Sequence, residues 1–418
     1  MGVWLYSFGL FLYKQTIKFA ALFHAKAKLM VEGWSRSLAH SSTTRVEALG
    51  KINVWFHVAS LGEFEQGRPI IEAYRAKYPT HRIVLSFFSP SGYEVRKNYD
   101  KVDEVVYLPL DSKKNAKAFL DWVQPDLAIF VKYEYWYFYL SELKKRNIPT
   151  LLVSAIFREN SVFFGIFGSF FRQILNNFTR LYLQNKKSAD LLAAHGISHF
   201  EVVGDTRFDR VLDLSQQIEH WEIKELFVGK SEFAVAGSVW DVDMQVLIPI
   251  IQKNDFKWII APHEMHPEEM SRWANELGQS VAYSKGSTQS EIEKAKVLFV
   301  NEFGRLASLY QSCKYAYIGG SFGAGLHNTL EAAVFGPPIF FGNKNYQKFQ
   351  EAVDLIEKGI AFVISSTEEM EILVSDFEKN ADKRLAIEKA STQFVKENVG
   401  ATKKIMTFIN QLEGWKKA

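Results

Sequence analysis

The chain has 418 residues, 47% of them hydrophobic and 23% charged, which suits two folded domains and excludes disordered or collagen-like material. A net charge of +3 is too small for the broad positive field of a nucleic-acid-binding domain, so no nucleic-acid partner is expected. The lone cysteine, Cys313, excludes an intrachain disulfide and suits a reducing compartment.

Aromatic residues cluster first at the N-terminus, where Val3 to Tyr13 is almost wholly apolar. Lys14, Gln15 and Lys18 interrupt this run before Phe19 resumes it, so a clean span of ~20 apolar residues is not reached and the segment is not assigned as a transmembrane helix. Nor does a basic residue precede the run, as a secretory signal would need. Residues 1–35 are read as a monotopic anchor, an aromatic helix in or on a bilayer with Lys14, Lys18, Lys26 and Lys28 facing anionic head groups. A helix packed on the protein itself is the alternative.

Short β-rich runs then alternate with amphipathic stretches, the pattern of parallel sheets covered by helices. Strands are predicted at Val54–Val58, Arg82–Phe87, Glu104–Tyr107, Leu127–Val131, Thr150–Val153, Leu181–Leu183 and Glu201–Val203, with helices over Gly67–Lys77, Ala116–Trp122, Tyr135–Arg146 and Lys187–His195. The run Val162–Phe171 carries rings on every side of any helix it forms, which suits either lipid contact or full burial. The polar, broken stretch Asp213–Lys230 is read as the connection between domains. A second alternation follows, with strands at Phe233–Ala236, Lys257–Ile260, Lys296–Val300, Tyr315–Ile318, Pro338–Phe341 and Ala361–Ile364, helices at Pro267–Leu277 and Asn328–Phe335, and a helical tail from Glu368. The division is an N-terminal Rossmann-like domain over 36–212, a linker over 213–230, a C-terminal Rossmann-like domain over 231–400 and a last helix over 401–418. Two such domains in series leave a cleft between their strand C-termini, where open α/β sheets bind ligands.

Two strand-to-helix junctions carry the candidate chemistry. In His57-Val58-Ala59-Ser60-Leu61-Gly62-Glu63, with Arg68 a turn later, Ser60 and Glu63 have the spacing of a capping box, in which the carboxylate reaches back to the Ser60 amide. The other reading makes Glu63 a general base at a cleft edge, kept ionised by the helix N-terminus. In Gly319-Gly320-Ser321-Phe322-Gly323-Ala324-Gly325-Leu326-His327-Asn328, free amides before a helix suit a phosphate, although the stretch is neither a Walker A loop nor a dinucleotide fingerprint. A tight turn explains the glycines equally, and Asn328 with Glu331 has capping-box spacing as well. His263 and His266 flank Glu264 without H-E-x-x-H spacing or a third ligand, so phosphate or base contact is preferred to zinc, and no metal or other cofactor is expected. Ser238, just past a strand, is a phosphate donor or an N-cap. Lys132, Glu134 and Arg158 also follow strand ends.

Together these motifs resemble the Kdo transferases, which move 3-deoxy-D-manno-octulosonic acid (Kdo) from CMP-Kdo to a lipid A precursor. The family's S-x-G-E, whose Glu is the catalytic base, is matched by Ser60-Leu61-Gly62-Glu63, and its acceptor-side loop is similar to Ser89-Pro90-Ser91-Gly92. E-x-W is matched by Glu134-Tyr135-Trp136, and G-x-x-K-F/Y-D by Gly204-Asp205-Thr206-Arg207-Phe208-Asp209 with Arg for Lys. Gly237-Ser238 fits a G-S motif, and G-G-S…H-N-x-L-E-x-A is matched by Gly319, Gly320, Ser321, His327, Asn328, Leu330, Glu331 and Ala333. The sequence departs where the family has P-R-H, reading Pro262-His263-Glu264, and where it has N-A-R, reading Ser154-Ala155-Ile156-Phe157-Arg158.

The resemblance implies a GT-B glycosyltransferase of two Rossmann-like domains facing a cleft, with the last helix crossing back to the first domain. Glu63 is then the base. Ser60, Gly62, Arg68, Ser91, Gly92 and Glu134 bind the acceptor, while Arg207, Ser238, His263, Gly320, Ser321, Gly325, His327, Asn328 and Glu331 bind CMP-Kdo. The partners implied are CMP-Kdo, a lipid A precursor and membrane lipids at the cytoplasmic face of a bacterial inner membrane. Competing readings are another lipid-directed GT-B transferase, a UDP-sugar epimerase, and a non-catalytic membrane-tethered nucleotide-sugar-binding protein.

Overall fold

The computed structural model describes residues 2–43, 51–166, 168–217, 220–323 and 325–412. Phe167 of the aromatic run, Ala324 of the glycine stretch, part of the expected linker and the end of the expected last helix lie outside them. The chain divides into two units, Met1–Arg210 with Val399–Ala418, and Val211–Asn398.

The first unit is built on seven strands, β1 (Asn53–Val58), β2 (Arg82–Phe87), β3 (Glu104–Tyr107), β4 (Leu127–Val131), β5 (Thr150–Ala155), β6 (Arg180–Leu183) and β7 (Phe200–Val202), ordered β3-β2-β1-β4-β5-β6-β7. All pairings are parallel. Their apolar runs are continuous because both faces are covered. Alternate residues serve two cores: Trp55, Phe130 and Leu152 meet the helices Lys113–Val123 and Tyr137–Lys145, while Val54, Phe56, Ile129 and Val153 meet the other face. Each such fully buried side chain contributes about 1.5–3 kcal/mol, so the period-two alternation fixes both register and layer. The helix Ala401–Gln411 packs on Leu61–Lys77 and adds Ile405, Met406 and Ile409 to the second core. Asp209 secures its start by accepting from the amides of Gly400 (2.5 Å) and Thr402 (2.7 Å).

The second unit repeats the plan with β8 (Phe233–Val239), β9 (Lys257–Pro262), β10 (Val281–Tyr283), β11 (Val297–Phe299), β12 (Tyr315–Ile318), β13 (Ile339–Gly342) and β14 (Ala361–Ile364), ordered β10-β11-β9-β8-β12-β13-β14. β10 has no counterpart among the predicted strands. Three residues at a sheet edge between Ser280 and Ser284 give no readable periodicity. The stretch read as a linker contains helix: Thr206–Gln216 runs into it and Glu222–Val228 lies within it.

At the N-terminus, the helix Gly2–Ala20 lies on the first unit by one side only, and none of its residues is buried. Tyr6 donates to Asp111 Oδ2 at 2.7 Å, and the Tyr13 ring meets Trp34 and Phe88. The opposite side exposes Trp4, Phe8, Phe11 and Phe19, with Leu22 and Phe23 beyond. Among the described residues, no helix is long and apolar enough to cross a membrane. In the run Val162–Phe171 the described rings turn inward: Phe163 is buried, and Phe164, Phe170 and Phe171 pack on the core. Val162 and Ile166, not those rings, point outward, Ile166 with 97% of its surface exposed.

Candidate active site

The strand order β2-β1-β4 sets three loops side by side at the C-terminal edge of the first sheet, namely Ser89–Gly92, Ala59–Glu63 and Lys132–Trp136. Ser60 is the N-cap of Leu61–Lys77, its Oγ accepting from the Glu63 amide at 3.5 Å. The Glu63 carboxylate reaches one residue further back than a capping box requires and accepts from the Ala59 amide at 2.6 Å. It is only 9% exposed. Burial, and then the neighbouring charge of Glu134, push its pKa up to about 8 against the Ala59 and Ser60 amides and Lys132. The expectation that the helix N-terminus keeps Glu63 ionised is therefore corrected. A helix end supplies about 0.3–1 kcal/mol at the surface, and burial beside a second carboxylate outweighs it.

The other acceptor-side candidates differ in how they are held. Gly62 is exposed, and a Cβ there would meet nothing within 4 Å, leaving open space beside Glu63. Ser91 is exposed, with its amide on Ser89 Oγ at 3.3 Å, whereas Gly92 is buried and a side chain there would collide with the Phe87 ring. Arg68 donates to Glu72 at 2.8 Å and lies over the Tyr99 ring. Glu134 is 5% exposed, and its Oε2 receives His57 Nε2 at 2.8 Å and Trp136 Nε1 at 2.6 Å. Lys132 and Ser154, at the ends of β4 and β5, hold left-handed backbones with φ of 67° and 54°. Non-glycine residues in that region mark strain retained at functional edges. Arg207, expected on the donor side, stands in the first unit and grips Asp205, with Nε–Oδ2 at 3.0 Å. Burial alone would raise Asp205, but the guanidinium overrides it and holds the carboxyl below its ordinary range.

In the second unit the candidates gather beyond β8, β9 and β12. Ser238 is left-handed, φ 55°, and its carbonyl packs so tightly on Gly319 that no Cβ fits there. His263 lies stacked between Trp240 (ring centroids 4.5 Å) and His327 (4.3 Å). Trp240 Nε1 donates to His327 Nε2 at 3.3 Å. Burial, then His263, push the His327 pKa down to about 4, and burial also lowers His263. Both imidazoles are thus neutral near pH 7.

The glycine stretch is less free than its sequence suggests. Gly320 N donates to Asp243 (2.9 Å), Gly319 N to Gly237 O (2.9 Å) and Gly325 N to Gly320 O (2.9 Å), so these amides are spent inside the unit. The following helix is a single turn, Leu330–Ala333, capped at Thr329. Asn328 accepts from the Leu330 amide (3.2 Å) and donates to Glu331 (3.0 Å), a side-chain pair in place of the expected capping box. Ser321 is fully buried, its hydroxyl within reach of the carbonyls of Gly342 (2.8 Å) and Lys344 (2.6 Å). His266 bonds Glu264 at 2.8 Å on the surface. Among the described residues no group of three or more His, Cys, Asp or Glu is placed to hold a metal ion.

The model of the Kdo transferase family, 3-deoxy-D-manno-octulosonic-acid transferase, matches residues 32–210. A 3-deoxy-D-manno-octulosonic acid transferase of Chlamydophila psittaci is 23% identical over 82% of this chain and 82% of its own. The chain is similar to the Kdo transferases through most of its length. A bifunctional glycosyltransferase/methyltransferase of Fusobacterium nucleatum is 24% identical over 79% of this chain, and the match spans only 54% of that protein's length. Among solved structures, a UDP-GlcNAc 2-epimerase of Neisseria meningitidis bound to UDP-GlcNAc superposes with a TM-score of 0.61 at 12% identity, covering 86% of this chain and 100% of that one. This likeness establishes the fold, two Rossmann-like units of the GT-B kind, and the similarity to Kdo transferases indicates a glycosyltransferase.

Sequence reasoning passed over His57, Ser86, Trp240 and Asp243. His57 was visible as a polar residue in the apolar strand β1, where burial demands hydrogen-bond partners.

Proposed function

We propose that this Kdo transferase relative moves Kdo from CMP-Kdo to a hydroxyl of a lipid A precursor, with Glu63 as general base. The Glu63 carboxylate takes the acceptor hydroxyl proton. The oxygen bonds to the anomeric carbon of Kdo as its bond to the CMP phosphate breaks, and CMP leaves with the electron pair. The observation that carries the reading is Glu63 itself, a buried carboxylate with a pKa of about 8 beside the open space at Gly62. A base of that strength is matched to a working pH near neutrality, where roughly a tenth of it is ionised and each ionised group is a strong acceptor. On the donor side, the neutral imidazoles of His263 and His327 are the polar groups best suited to the anionic leaving group, in place of the arginine that the family motif carries there. The exposed rings of Trp4, Phe8, Phe11 and Phe19, with Ile166, suit a protein resting on a bilayer at its cytoplasmic face, where a lipid acceptor is presented.

The test is Glu63→Gln with a CMP-Kdo-generating system and a lipid A precursor, weighing the product. Transfer is expected to fall at least ~1,000-fold while CMP binding stays within twofold, and kcat/KM of the parent is expected to rise with pH through about 8. Undiminished transfer by Glu63→Gln overturns the base assignment, and turnover of a UDP-sugar with none of CMP-Kdo overturns the donor.

A further inference from the structure

His57 is fully buried in β1, yet both ring nitrogens are engaged. The shortest contact at each nitrogen gives the direction of its bond, ahead of the longer approaches of Ser86 O to Nδ1 (3.2 Å) and of Trp136 Nε1 to Nε2 (3.1 Å). An indole N–H can only donate, so Trp55 Nε1 gives its hydrogen to Ser86 Oγ at 2.8 Å. The Ser86 hydroxyl then has its own hydrogen to place, and the His57 Nδ1 at 2.8 Å is a better acceptor than the Phe56 carbonyl at 3.4 Å. With Nδ1 accepting, the neutral ring carries its hydrogen on Nε2 and donates to Glu134 Oε2 at 2.8 Å. Trp136 Nε1 donates to the same oxygen at 2.6 Å. The whole chain, Trp55 to Ser86 to His57 to Glu134, is then polarised one way and ends on a carboxylate. Such a chain strengthens link by link in a low-dielectric interior and fixes the orientation of the carboxylate at its end.

The sheet explains why that anion matters. His57 pairs with Phe130 across β1 and β4, so the extensions of the two strands, leading to Glu63 and to Glu134, emerge side by side. Titratable groups around the two carboxylates include Lys132, a cation that lowers Glu63, Tyr133 and Tyr135 on the same segment, Arg158 and Arg207 beside Tyr133, and Tyr6 from the N-terminal helix.

We infer that His57, backed by Ser86 and Trp55, is a positioning residue that holds Glu134 as an oriented anion beside Glu63, and that this buried charge sets the strength of the base. The inference rests on the proposed role of Glu63. It assigns Glu134 to tuning the base and His57 to holding Glu134, with neither needing to touch the acceptor. Without the Nε2 hydrogen bond, Glu134 is no longer held against Glu63, its repulsion on Glu63 weakens and Glu63 becomes a weaker base.

The test compares the pH dependence of kcat and kcat/KM for the full chain, with CMP-Kdo and a lipid A precursor, in the parent, His57→Asn and His57→Gln. The shorter Asn amide reaches Ser86 but not Glu134. For it, the acid limb is expected to move down by about one pH unit and the high-pH plateau of kcat to fall about tenfold, with KM within about twofold. Gln carries an N–H to the position of Nε2 and restores the limb. If His57→Asn does not fold, Ser86→Ala, which frees Nδ1 to take the ring hydrogen, is read on the same limb and is expected to move it the same way. A limb that stays put in His57→Asn, or in Ser86→Ala where that variant decides, overturns the inference, as does one that moves equally in His57→Gln. Glu63→Gln separates the two claims. If it is active, the base reading has failed; if it is inactive while the limb is unmoved in the His57 variants, only the role of His57 has failed.

Discussion

At the same topological position, the C-terminal edge of a seven-stranded parallel sheet, the two units handle charge in opposite ways. The first buries two carboxylates, and burial with mutual repulsion pushes Glu63 up to about 8. The second holds two half-buried, stacked imidazoles, and desolvation pushes His327 down to about 4. Desolvation drives Glu63 to keep its proton and His327 to lose one. Each is then suited to one half of a transfer: the ionised fraction of Glu63 is a strong proton acceptor, and the neutral imidazoles can receive an anion without first displacing a resident one.

The comparison breaks most readily at the second edge. Gly320 has φ 92°, and a Cβ there would collide with the Gly325 carbonyl and lie 2.9 Å from His327 Cδ2. Gly320→Ala is expected to weaken CMP binding by about 100-fold or more, read by calorimetry, because the loop and the imidazole stack cannot both keep their places. Binding within threefold of the parent would show that the stack does not serve the donor.

A smaller effect sharpens the first edge. Because the folded pKa of Glu63 lies above its ordinary value, the carboxyl favours folding fully below about 4.5 and progressively less as pH rises through about 8. Glu63→Gln cannot ionise, so its stability relative to the parent should grow by roughly 2–4 kcal/mol between pH 5 and pH 9, as measured by urea unfolding. A constant difference would mean that Glu63 is ionised throughout. The smallest effect belongs to Gly62, where an added methyl meets nothing. Gly62→Ala should leave stability within ~0.5 kcal/mol, and a severalfold loss of kcat/KM would place the acceptor in that space.

How legible each part was depends on the range of the forces that shape it. β1, β2, β4 and β12 could be read closely because each is an apolar run bounded by turn signals, and burial on both faces leaves the run unbroken. Glu63 was readable as a candidate from its junction, but its protonation was not. That depends on burial and then on Glu134, distant in sequence and brought near by the β1–β4 pairing. Local spacing also misjudged the glycine stretch. Nothing within it shows that Asp243, on the helix after β8, claims the Gly320 amide, or that Ser321 turns inward to β13. The aromatic run around Phe163 stayed open between core and lipid for a related reason, since ring composition alone does not tell the two apart.

The contact between Tyr6 and Asp111 joins the greasy N-terminal helix to the interior beside Glu134. Asp111 accepts from the amides of Phe138 (2.9 Å) and Tyr139 (3.1 Å), closing the helix that begins just after Trp136, and Tyr6 donates to it from outside. Trp136 in turn packs on Phe88, which Tyr13 covers. Trimming away the first twenty residues to gain solubility would therefore strip a donor from a buried acid and uncover the wall behind Glu134. An idle enzyme after such surgery would report damaged internal wiring as well as lost contact with lipid.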